Sequence, residues 1–180
     1  MLKSIAALAA LTLVLVAAPA SADDSSPVRL DSTEVCVTAD FPVTGSGWKV
    51  QRMVEVWNTA QSSVHLTMGG ASCTGVVIHR YYSPGTDGAC GWTRWDRPGL
   101  NIRVVDGVVL YDGADIYLND WCLGFGRYHS RYVVAHELGH ALGLPHNDST
   151  RSVMSPLYRF DILRGMPGPV DARNVTNLYR

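Results

Sequence analysis

The sequence carries no surplus of charge of either sign. Its 15 Lys and Arg stand against 16 Asp and Glu over 180 residues, a net charge of −1. That balance gives no electrostatic footprint for nucleic acid or for an anionic membrane surface. The apolar run from Ile5 to Ala18 falls short of the roughly 20 residues that a membrane span requires. Cysteine is scarce: there are four, and no two are spaced C-x-x-C. This irregular spacing argues against a thiolate zinc site.

What is there begins with a leader. Met1 to Ala22 opens with Lys3, continues as the apolar run, and ends in Ala20-Ser21-Ala22, a small-x-small cleavage site. That is the pattern of a secretory signal peptide. Removing it leaves 158 of the 180 residues and a net charge near −2, since Lys3 goes with it. This is the length of one domain with a substantial core. The organisation expected is a signal peptide over 1–22, a flexible lead-in over 23–33 and a single domain over 34–180. The product is expected to be secreted and extracellular, with no membrane contact after cleavage. Export makes Cys36, Cys73, Cys90 and Cys122 candidates for two disulfides. Three pairings are open; Cys73–Cys90 would close a local loop and leave Cys36–Cys122.

Val35 to Val37 reads as a first strand. Val50, Met53, Val54 and Trp57 recur at the spacing of a helix packed on a sheet. Val64 to Met68 and Thr74 to Tyr82 read as strands, with His65 and His79 as structural residues within them. Ser83 to Arg97 reads as a loop whose Trp92 and Trp95 pack beneath it or line substrate. Leu100 to Val105 and Val108 to Tyr111 flank an Asp106-Gly107 turn, a hairpin signal. Asp112-Gly113-Ala114-Asp115 offers oxygens of the kind calcium takes, without the spacing of a full ligand loop. Calcium is therefore compatible with the sequence but not indicated by it. Ala114 to Asn119 reads as the last strand, and Asp120 to His129 as a loop with His129 on the surface.

The informative stretch follows. His136 and His140 are four apart, so a helix over Arg131 to Leu142 puts both on one face, one turn from each other. Both imidazoles can reach one Zn²⁺. Glu137 lies beside them, placed to polarise a water rather than to ligate. Gly143 can take the positive φ that ends a helix, and Pro145 forbids its continuation. The chain can then turn back and present His146 as third ligand, with Asp148 as the alternative. Three protein ligands and an open fourth position is the arrangement of a catalytic zinc. Five fixed positions in eleven arise by chance on the order of 10⁻⁵ or less.

The stretch from His136 to His146 resembles the long zinc signature of the metzincin metalloendopeptidases. Ser152-Val153-Met154-Ser155-Pro156-Leu157-Tyr158 resembles their Met-turn in its matrixin version. The last residues, Pro169 to Tyr179, resemble the closing helix of matrixins. The resemblance implies an α+β fold: a mixed, twisted sheet with a zinc helix, a Met-turn and a C-terminal helix. It implies one catalytic Zn²⁺ held by His136, His140 and His146, with Met154 beneath it. It also implies that Pro156 and Tyr158 wall the pocket for the side chain after the scissile bond, and that Asp171 anchors the Met-turn. An edge strand above the cleft should pair with extended substrate, and Leu100 to Val105 or Val108 to Tyr111 should supply it.

Two matrixin features are absent. His79 is followed by Arg80 and Tyr81, so the H-x-D motif of a structural zinc is missing. Glu34-Val35-Cys36-Val37-Thr38 is not the pro-segment motif whose Cys blocks the metal, and no pro-domain is recognisable. The activity implied is hydrolysis of peptide bonds in a protein or peptide substrate, by Glu137-assisted attack of zinc-bound water, in a monomer. The rival reading is a secreted zinc-binding module without turnover.

Overall fold

The computed structural model describes residues 27–70, 72–84, 89–149, 151–156 and 166–180. The leader read over Met1 to Ala22 and the pocket residue Tyr158 lie outside the described residues.

The chain opens with a short strand, β1 (Val28–Leu30), and a longer one, β2 (Glu34–Ala39). In β2, buried Val35 and Val37 alternate with more exposed neighbours, the period of a strand with one face on a core. Helix α1 (Val50–Ala60) buries Val50, Met53, Val54 and Trp57, the stripe visible in the sequence. Strands β3 (His65–Met68), β4 (Val76–Tyr81), β5 (Gly91–Arg94), β6 (Ile102–Val105), β7 (Val108–Tyr111) and β8 (Ala114–Asn119) follow. A 3₁₀ helix (Asp120–Phe125) leads into α2 (Arg127–Ala141), and α3 (Pro169–Leu178) closes the chain.

The main sheet has the order β3-β2-β4-β8-β5. Its first four strands run parallel, and β5 pairs antiparallel with β8 at one edge. A second sheet, β1-β7-β6, stands apart from it. One face of the main sheet packs on α1 and α2 through a core that includes Trp57, Ile78, Ile116, Leu138 and Met154. Burying each such side chain contributes about 1.5–3 kcal/mol. The Trp57 indole N–H donates to the Ala135 carbonyl at 2.9 Å, so α1 fixes α2 by a directed bond as well as by packing. The α+β class expected from the sequence is the class observed.

Several expectations need correction. The lead-in contains β1, which pairs parallel with β7. Three residues whose partner lies some eighty positions away leave no local signal. The loop read over Ser83 to Arg97 contains β5, hidden by its glycine and its length of four residues. The exposed edge beside α2 is therefore β5, not β6 or β7, which belong to the small sheet. The disulfides are Cys36–Cys73 and Cys90–Cys122, so neither Cys73–Cys90 nor Cys36–Cys122 forms. The first ties β2 to the loop after β3; the second ties the start of β5 to the entry of α2. His129 lies in the first turn of α2 and is half-buried, edge-on to Phe125, because the segment read as loop over Asp120 to His129 is helical: a 3₁₀ helix and then the start of α2.

Candidate active site

Helix α2 sets the site. His136 and His140 stack on one face of its last turns, as their spacing requires. The helix ends at Gly143, whose φ of 94° only glycine adopts freely. A Cβ there would also overlap the Val28 carbonyl, so β1 sits directly against this turn. The chain reverses, and His146 returns to the two helical histidines.

The three rings then face a common point. Their centroids are 4.6 Å apart for His136 and His140, 5.2 Å for His136 and His146, and 4.8 Å for His140 and His146. One ligating atom from each lies within 4.8 Å of the others. Asp148, the alternative ligand, is exposed and outside this group.

Hydrogen bonds assign the tautomers. His136 Nδ1 lies 2.8 Å from the Val153 carbonyl, and His140 Nδ1 lies 2.8 Å from the Leu144 carbonyl. A carbonyl only accepts, so each Nδ1 carries the proton and each Nε2 presents a lone pair. Those two Nε2 atoms are 3.1 Å apart. Two lone pairs facing each other at that distance repel unless a cation lies between them. Burial pushes His136 down to about 4 and His140 down to about 3, the latter with further lowering from His136 and His146. Both are neutral at pH 7, the state that metal ligation needs. This donor set fits zinc, which takes imidazole nitrogens in a tetrahedral site.

Glu137 is buried beside the cluster, and burial pushes its carboxyl up to about 8. The Thr93 hydroxyl opposes that shift by donating to Oε2 at 2.8 Å. A dication at the imidazoles opposes it further.

Beneath the cluster lies the Met154 turn. Met154 is buried, and its sulfur packs on α2 where a Cβ on Gly139 would overlap it. Asp171, fully buried on α3, holds this turn. It accepts from the Val153 N–H at 2.9 Å, the Gly168 N–H at 2.7 Å and the Ser152 hydroxyl. The Asn147 N–H donates to the Met154 carbonyl at 2.9 Å, which ties the segment after His146 to the same turn. Pro156 follows as an exposed residue.

The remaining candidates lie elsewhere. Trp92 points to the other face of the sheet, stacked on Tyr117 at 4.0 Å between ring centroids. His79 stacks on the opposite side of Tyr117 and bonds to Asp40 at 2.8 Å. Asp115 is engaged by Arg97 at 2.9 Å, and Asp112 by Asn101. Cys36 is in a disulfide and does not reach the imidazoles as a thiol. Sequence reasoning missed Gly91 and Thr93, the two β5 residues against Glu137; nothing local distinguishes them within a loop-like stretch.

Short segments of the chain are similar to known proteins. A segment of 63 residues, 35 % of this chain, is 36 % identical to stromelysin-3 of Rattus norvegicus and covers 13 % of it. A segment of 67 residues, 36 % of the chain, is 36 % identical to interstitial collagenase of Oryctolagus cuniculus and covers 12 % of it. A segment of 50 residues, 26 % of the chain, is 50 % identical to stromelysin-2 of Rattus norvegicus and covers 10 % of it. The chain thus spans only about a tenth of the length of these relatives. The family comparison reaches further, since residues 31–180, which hold every described helix and strand except β1, match the matrixins. A match over this share of the chain means that the chain belongs to the matrixin family.

Proposed function

We propose that the chain is an exported zinc-dependent endopeptidase with Glu137 as its general base. One observation carries this reading: three imidazoles converge, and a buried carboxyl lies on the helical turn that carries two of them, in a matrixin. A structural zinc site has no use for that carboxyl. His136, His140 and His146 would hold the ion. Bound zinc supplies Lewis-acid chemistry, making a water proton labile near neutral pH and polarising a carbonyl. Glu137 accepts the proton of the attacking water and returns it to the departing amine nitrogen.

Among the described residues β5 is the last strand at one edge of the main sheet, and an extended peptide can add to it as a further strand. A peptide so placed runs past Glu137, because Gly91 and Thr93 touch that residue. Pro156 and Tyr158 are proposed as the wall that receives the side chain after the scissile bond. Export rests on the leader pattern; among the described residues no helix is long and apolar enough to cross a membrane. The substrate class is protein or peptide.

The test is digestion of casein by the purified, zinc-loaded chain. Internal cleavage should occur, stop on addition of 1,10-phenanthroline, and return with added zinc. Cleavage that ignores the chelator would contradict the proposal. Zinc binding without any cleavage would favour a non-catalytic module.

A further inference from the structure

Strand β5 is shaped around Glu137. Gly91 and Thr93 are two apart on that strand, so both face α2. A Cβ on Gly91 would stand 2.8 Å from Glu137 Cγ, 2.9 Å from Val133 Cγ1 and 3.0 Å from Glu137 Oε1. Glycine therefore leaves the space that the carboxyl occupies. Thr93 Oγ1 lies 2.8 Å from Glu137 Oε2 and 3.1 Å from the Glu137 carbonyl. A hydroxyl has one proton to give. Given to Oε2, at the shorter distance, it engages one carboxyl oxygen and leaves Oε1 for other work.

The strand carrying this hydroxyl is itself held. Cys90, immediately before Gly91, is bonded to Cys122, and the Cys90 carbonyl accepts from the Asn119 N–H at 2.9 Å. Trp92, between the two inward residues, stacks on Tyr117 from the other face. A side chain on an element fixed from both faces can set the orientation of its partner.

We propose that Thr93 is a positioning residue for Glu137, its hydroxyl holding one carboxyl oxygen so that the other is presented in a fixed direction. This rests on the reading of Glu137 as general base. Thr93 acts through Glu137 and touches no reacting atom.

The experiment compares zinc-loaded full chains carrying Thr93→Val, which keeps shape and loses the hydroxyl, and Thr93→Ser, which keeps the hydroxyl. For Thr93→Val, kcat on a peptide substrate should fall about tenfold with KM unchanged, the loss expected of one hydrogen bond to a carboxylate. Thr93→Ser should retain the wild-type kcat. A second readout needs no turnover. In crystals of the zinc-free proteins, the Glu137 carboxyl should hold one orientation in the wild type and Thr93→Ser, and rotate or split in Thr93→Val. If Thr93→Val does not fold, Thr93→Ala carries the same expectation. A wild-type kcat without the hydroxyl, an equal loss in Thr93→Ser, or an unmoved carboxyl would overturn the proposal. Glu137→Ala is assayed in parallel. If it keeps more than about a tenth of wild-type activity, the general-base reading has failed, which is a different result from a silent Thr93→Val.

Discussion

His146 is the member of the cluster that no helix holds. His136 and His140 are set by α2 and by their bonds to the Val153 and Leu144 carbonyls. His146 instead depends on the turn at Gly143 and on the bond between Asn147 and Met154. Its removal leaves two imidazoles, too few for a tight zinc site. His146→Ala should therefore lose zinc on dialysis while Asp148→Ala keeps one equivalent, measured by metal analysis. Zinc retained by the first and lost by the second would make Asp148 the third ligand. At this scale the sequence was most legible: ligand spacing on a helix is a local property, and so is a Gly–x–Pro helix stop. The role of Thr93 was not legible, because it depends on a strand and a helix 44 residues apart in sequence meeting face to face.

Among the elements, the end of α2 is the most constrained. Gly143 has φ 94° and lies against the Val28 carbonyl. Gly143→Ala adds strain at positive φ and a clash with backbone, which cannot swing aside as a side chain would. It should destabilise the fold by about 2 kcal/mol or more, read by denaturant unfolding. A change under about 0.5 kcal/mol would mean that β1 does not sit there. Helix α1 could be read from the sequence because its buried stripe repeats over three turns, and α2, buried without a break from Tyr132 to Gly139, because the His136–His140 spacing and the stop at Gly143 mark it. Strands β1 and β5 could not, because three or four residues hold too few periods and their partners are distant. The disulfide pairing was illegible for the same reason: it follows from which strands lie together.

At the scale of the whole molecule, titratable groups sit in a buried environment, and the pH response follows. In the zinc-free chain, His136 and His140 have folded values of about 4 and 3, below the ordinary 6.5. The unfolded chain therefore binds more protons on acidification. Their contribution to stability is complete above about pH 6.5 and is lost as pH falls toward 4 and 3. Glu137 has the opposite sign. Its folded value of about 8 lies above the ordinary 4.5, so its contribution is present below 4.5 and is lost as pH rises through 8. The melting temperature of the chelated protein should fall on both sides of mildly acidic pH, and Glu137→Gln should remove only the alkaline loss. A profile unchanged by that substitution would contradict the buried placement of Glu137.

The central claim is that one helix holds the metal with two histidines while the carboxyl between them moves the proton. The measurement that separates these duties is zinc content and casein cleavage of Glu137→Ala beside the wild type. The account predicts one equivalent of zinc in both proteins and cleavage in the wild type alone. Undiminished cleavage by Glu137→Ala with zinc bound would contradict it.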